Sequence, residues 1–143
     1  MSETDLINLY SKRILALAAD IPHLGRLPQP EASAKRRSPL CGSTITVDLK
    51  VANGKISEFA QDVKACALGQ ASASILGDVV VGRTLPELER ARDEVKAMLA
   101  GGPVPAAPFT GYEVLQAAKD YRNRHASILL ALEATCEAMG QLV

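Results

Sequence analysis

The sequence predicts an α+β fold: a small antiparallel β-sheet of about three strands, built on a central hairpin at 44–64, with about five helices packed against it. Three observations carry that expectation. Two β-type runs flank Asn53-Gly54, the pair of residues that best tolerates the positive φ of a tight type I′ turn. Outside this region apolar residues recur at three- and four-residue steps, the spacing of one helical face. Finally, 143 residues with 48% hydrophobic content can fill one core without disulfides, so residues 1–143 are expected to form a single domain.

From Thr4 to about Ala19, residues Leu6, Leu9, Tyr10, Ile14, Leu17 and Ala18 share one helical face, and Pro22 ends the helix. The following segment, punctuated by Pro28, Pro30 and Pro39, reads as a loop with at most a short edge strand. Its basic run Lys35-Arg36-Arg37 and its His23 read as solvated surface rather than as a binding patch.

Cys41 and Cys66 stand equally far from the Asn53-Gly54 turn, so a ladder running the whole way would set them opposite one another. Parity complicates that register. Ile45, Val47, Leu49 and Val51 share one face, and a strict two-residue turn would place Phe59 and Val63 on the other, so a bulge or a three-residue turn is required. In either register the cysteine Cα atoms are expected roughly 4.5–8 Å apart, close enough for both thiolates to hold one metal or cluster.

A helix from near Cys66 to Gly82 is predicted by Leu68, Ala71, Ile75, Leu76 and Val79, with small residues that allow close packing. Cys66 then lies at a helix N-terminus, where the dipole favours a thiolate. Taken alone, it reads instead as a small buried hydrophobe. Thr84, Pro86 and Glu87 form a capping box for a helix with Leu85, Leu88, Val95, Met98 and Leu99 as its stripe, ending at Gly101-Gly102. The run GGPVPAAPFTG, with three prolines, is expected to be an exposed insertion. A short helix from Tyr112 to about Tyr121 follows. The last helix begins at His125 and places Ile128, Leu129, Leu132, Cys136 and Met139 on one face, opposite Glu133 and Glu137. Cys136 therefore has a core explanation, and His125 sits where a ligand could face neighbouring loops.

Zero formal charge and 3% aromatic content argue against a nucleic-acid partner. No apolar run approaches the roughly 20 residues of a membrane span and no leader is evident, so no membrane partner and a cytoplasmic location are expected. Three cysteines, an odd number, point to metal, redox or core roles. There is no G-x-S-x-G, HExxH, P-loop or dinucleotide fingerprint, so the chain is not expected to be an enzyme.

Three motifs in order resemble those of the U-type iron–sulfur cluster scaffold proteins, the group containing IscU, SufU and the N-terminal domain of NifU. Pro39-Leu40-Cys41-Gly42 is similar to the first ligand motif, and Ala65-Cys66-Ala67-Leu68 with Ala71-Ser72-Ala73-Ser74 to the second. His125-Ala126-Ser127-Ile128-Leu129 resembles a third that usually reads His-Cys-Ser-Ile-Leu. The Gly/Pro-containing insertion looks like the SufU branch, and the chaperone-recognition segment Leu-Pro-Pro-Val-Lys is absent. Two positions depart from the pattern: Ser43 replaces an acidic residue and Ala126 replaces the third cysteine.

The resemblance implies a small antiparallel sheet with packed helices, a cysteine desulfurase as sulfur donor, apo-proteins as cluster acceptors, and a transient [2Fe–2S] cluster, iron or zinc as cargo. The ligands that remain are Cys41, Cys66 and His125, a Cys₂His set with one open position that suits zinc or iron. Sulfur relay through the third cysteine should be impaired. The alternative reading is a degenerate, cluster-free regulator or adaptor of the desulfurase, and a Cys41–Cys66 disulfide of redox function is a further one.

Overall fold

In the computed structural model, which describes residues 11–143, the chain turns at Asn53 and Gly54 with φ of 55° and 77°. The turn joins β2 (Thr44–Ala52) to β3 (Lys55–Lys64), and β1 (Ala32–Arg37) pairs with the other edge of β2, giving an antiparallel sheet of order β1-β2-β3. Next to the turn, Ala52 faces Lys55 and Val51 faces Ile56. Beyond a bulge at Lys50/Val51 the partners shift by one residue, so that Lys50 faces Glu58. Phe59, Gln61 and Val63 thereby come opposite Leu49, Val47 and Ile45, which puts them all on the core face. Of the two repairs that side-chain parity allowed, a bulge and a three-residue turn, the chain uses the bulge.

Against the sheet lie α2 (Ala67–Val79) and α4 (Arg122–Gly140), and on these pack α1 (Lys12–Ala19), α3 (Leu85–Leu99) and a 3-10 helix (Thr110–Ala118), five helices among the described residues. The fold is α+β, as expected. Residues 4–10 of the expected first helix lie outside the described residues. Ser11 caps the described part, its hydroxyl accepting from the Ile14 amide at 3.4 Å. Thr84 and Glu87 form the expected capping box of α3, each side chain accepting from the other residue's amide.

Other details differ from expectation. Lys35-Arg36-Arg37 lies in β1, the short edge strand that the loop reading allowed, where Ala32 and Ala34 alternate inward while the basic residues cover an outer edge that a second chain would otherwise find easy to extend. The segment after Gly102 is not simply exposed: Phe109 is fully buried, and Ala106 donates its amide to Glu94 Oε1 at 2.9 Å. The short helix begins at Thr110, is of 3-10 type and ends at Ala118. It is held by the buried Tyr112, whose hydroxyl donates to the Ser72 carbonyl at 3.2 Å.

The last helix is not amphipathic. It packs on α2, α3, β1 and β2 at once, so Leu130, Ala131, Ala134 and Ala138 are buried along with Ile128 and Met139, while Leu129 is only half-buried. On α2 small side chains permit close approach to α4. A Cβ added at Gly69 would come within 2.5 Å of Ser127 Oγ and 2.8 Å of Ala65 Cβ.

On the outer face of the sheet Asp48 is fully buried. Arg26 Nε and Nη2 donate to it at 2.6 and 3.1 Å, the Leu27 amide donates at 3.1 Å, and the Ser33 hydroxyl also donates. Burial opposes the charged carboxylate, but these donors hold it below the usual carboxylate range. The folded-state value is depressed, so the stabilisation is complete above the unfolded value of about 4 and is lost as pH falls through the folded one. Asp48→Ala is expected to cost about 1–3 kcal/mol at pH 7, the range for removing hydrogen bonds to a charged group, here from the half-buried Ser33 hydroxyl and Leu27 amide and from Arg26. In urea titrations the difference between Asp48→Ala and the parent should narrow at pH 3 and below; a difference independent of pH would refute the assignment.

Candidate functional site

The loop between β1 and β2 is closed by two backbone bonds, Ser38 N to Ser43 O at 2.8 Å and Gly42 N to Ser38 O at 2.9 Å. Gly42 takes φ 68°, a left-handed turn that favours glycine. The loop carries Cys41 beside Leu40, which is 73% exposed. Cys66 is the N-cap of α2, in extended conformation, because the bulged β3 ends at Lys64 and the chain must turn into the helix. The third segment is the first part of α4, where Ser127 is buried against Gly69.

Hydroxyl groups join the three segments. Ser38 Oγ lies 3.2 Å from Cys41 Sγ, and Cys41 Sγ lies 3.5 Å from Ser43 Oγ. Ser127 Oγ donates to Ser43 Oγ at 3.0 Å and lies 3.4 Å from Cys66 Sγ, while the Cys66 amide donates to Ser43 Oγ at 3.4 Å. A hydroxyl has one proton and two lone pairs. Ser43 accepts from Ser127 and from the Cys66 amide, so its own proton is directed at the Cys41 sulfur. The Ser127 proton is engaged on Ser43. The arrangement thus favours a thiolate at Cys41. Burial pushes the Cys41 thiol up, but hydrogen bonds from Ser38 and Ser43 outweigh it and bring the group down to about 7.

The other predicted residues lie elsewhere. His125, half-buried, places Nε2 2.9 Å from the Ala118 carbonyl. A carbonyl only accepts, so Nε2 carries the proton. Cys136 is buried among core residues, and burial raises it to about 11. His23 is exposed, its ring edge-on to Phe59 with centroids 6.0 Å apart. All three cysteines are free. Among the described residues no group of three or more His, Cys, Asp or Glu side chains is placed to hold a metal ion. Cys41 and Cys66 meet through the hydroxyl chain, whereas His125 makes its hydrogen bond to the 3-10 helix.

Ser38 and Ser127 were not singled out from the sequence. The available signal was their position, one three residues before Cys41 and the other inside the third motif, but a lone serine is too common a residue to mark a site.

Comparison with known proteins places these features in context. A family model described as the NifU-like N terminal domain matches residues 9–127. The chain is 25% identical to the iron–sulfur cluster assembly scaffold protein IscU of Thermotoga maritima over 134 residues, 94% of each chain. The crystal structure of a nitrogen-fixing NifU-like protein (N-terminal) from Brucella abortus superposes with a TM-score of 0.93 at 42% identity, covering 96% of each chain. An iron–sulfur cluster assembly scaffold for the SUF system from Fervidobacterium islandicum AW-1 shares the fold, with a TM-score of 0.82 at 19% identity over 93% of this chain and 98% of that one.

The electrostatics predict an order of thiol reactivity. With iodoacetamide near pH 7.5, Cys41 should be modified well before Cys136, which should react only when the fold opens. Ser43→Ala should move the pH midpoint of Cys41 alkylation up by about 1 unit, the size of one hydrogen bond to an ionised group. Mass-spectrometric mapping of the modified residues over a pH series checks both; equal rates for Cys41 and Cys136 in the native protein would contradict them.

Proposed function

This chain belongs to the NifU-like N-terminal domain family, and from that premise we propose that it is an iron–sulfur cluster assembly scaffold that receives iron and sulfur as cargo at Cys41 and Cys66. The observation that carries this reading is the meeting of two family-motif cysteines, distant in sequence, in one hydroxyl-bridged cluster. A persistent thiol pair at this place favours a cargo-holding role over that of a cluster-free adaptor.

The donor chemistry fits a cargo rather than a resident group. An iron–sulfur cluster held permanently takes four protein ligands, commonly thiolates. Here Ser43 offers a neutral hydroxyl in place of carboxylate, and Ala126 offers nothing. Two thiolates leave coordination positions open, which weakens retention and eases release. His125 supplies a third donor if its ring turns away from the Ala118 carbonyl, at the cost of one hydrogen bond, about 1 kcal/mol. The resulting Cys₂His set accepts iron, a [2Fe–2S] unit or zinc.

In this reading a cysteine desulfurase delivers sulfur and apo-proteins take the product, with the chain acting as a non-catalytic carrier in the cytoplasm. With Ala126 at the place of the third cysteine, incoming sulfur has only Cys41 and Cys66 to land on near the site. No helix of the described residues is long and apolar enough to cross a membrane.

Anaerobic reconstitution with ferrous iron, cysteine and a desulfurase tests the proposal. The parent should develop the visible charge-transfer absorption of a cluster, and Cys41→Ala and Cys66→Ala should each lose it. Ala126→Cys should hold the cluster longer and transfer it more slowly to an apo-ferredoxin. A parent that binds neither iron nor zinc and stays colourless would overturn the proposal.

A further inference from the structure

A cavity of about 530 Å³ opens between the end of α3 and the start of α4, on the side of α4 that carries Arg122, His125 and Leu129. Its volume lies within the range of small-molecule sites. Lys96, Lys119 and Arg122 reach it from three different elements, against a single carboxylate, Asp120. Several arginines elsewhere are neutralised: Arg26 pairs with Asp48, Arg36 with Glu133 and Glu137, Arg83 with Glu87, Arg90 with Glu94 and Arg92 with Asp93. Among the described residues Lys96, Lys119 and Arg122 enter no such pair. Their positive charge is therefore left concentrated on a concave surface, where walls of lower dielectric strengthen its field.

The backbone around the cavity adds to this preference. At the end of α3 the carbonyls of Lys96, Ala97 and Met98 are already taken by the amides of Ala100, Gly101 and Gly102, which blunts the negative end of that helix. The 19-residue α4 begins here with no side-chain cap, so the positive end of its dipole is presented instead. Leu99 and Leu129 provide an apolar wall.

We propose that this cavity is a binding site for a small anion with a doubly charged oxygen head, a phosphate or a dicarboxylate. The guanidinium of Arg122 matches either head through two parallel N–H···O bonds, and the two lysines add point charges. Cys41 and Cys66 do not line this cavity and the proposal does not rest on the scaffold reading, although His125, offered above as a third cargo donor, also borders it.

Titration of the full chain with sodium pyrophosphate and, in a separate arm, with citrate, both at constant ionic strength, tests it. Saturable binding is expected by calorimetry in at least one arm, and the arm that responds identifies the head group. Lys119→Ala combined with Arg122→Ala should weaken that binding on the order of tenfold or more, while Lys55→Ala, at the distant hairpin turn, and Cys41→Ser should leave it unchanged. Unaltered melting of the double variant shows that the loss is not one of folding. Absence of saturation in both arms, or equal affinity in parent and double variant, would overturn the proposal.

Discussion

A hydroxyl group has a single proton to give, and at Ser43 that limit organises the site. Its two acceptor positions are filled by Ser127 and by the amide that starts α2, so the remaining proton goes to Cys41. Three segments separated by some 85 residues of chain are thereby fixed relative to one another by neutral groups alone. The geometry depends in turn on close packing of α2 and α4. Ser127 reaches Ser43 only because Gly69 has no Cβ to collide with its hydroxyl. A carboxylate at position 43 would bind a cation more strongly, but it has no proton to donate and would repel an adjacent thiolate. The serine exchanges cation affinity for a sulfur held in its ionised form.

Much of the architecture was legible in the sequence because it is governed by local rules. Asn53-Gly54 signalled the turn, the mismatch between Val51 and Phe59 required a bulge or a three-residue turn, and Thr84 with Glu87 marked the start of α3. The points that escaped depend on what lies across from a segment. The basic residues of β1 hide its strand character, since only Ala32 and Ala34 face inward. For α4 the periodic pattern fails because four neighbouring elements cover it, and alanine, indifferent to burial when read alone, fills the closest contacts. Phe109 was obscured by the prolines around it.

For the candidate cluster, only part of the arrangement was legible. The equal spacing of Cys41 and Cys66 about the turn pointed to their proximity, and the helix start at Cys66 followed from composition. The orientation of His125 did not, because adjacent residues on a helix project about 100° apart and motif order alone does not say which neighbour the ring will find. The hydroxyl chain was equally invisible: Ser38, Ser43 and Ser127 acquire meaning only once the loop, the sheet end and the helix are assembled.

The unpaired residue in β3 has a consequence for how this family can vary in length. Because the alternation of faces repeats every two residues, removing or adding one residue anywhere along the hairpin would turn half of it inside out and carry Cys66 away from its partners. Compensated changes, two residues at a time or one in each strand, would leave both the core and the sulfur pair intact. Indels in the hairpins of homologous chains should therefore come in even numbers, while the connection between Gly102 and Phe109, which sets no register, is under no such parity rule.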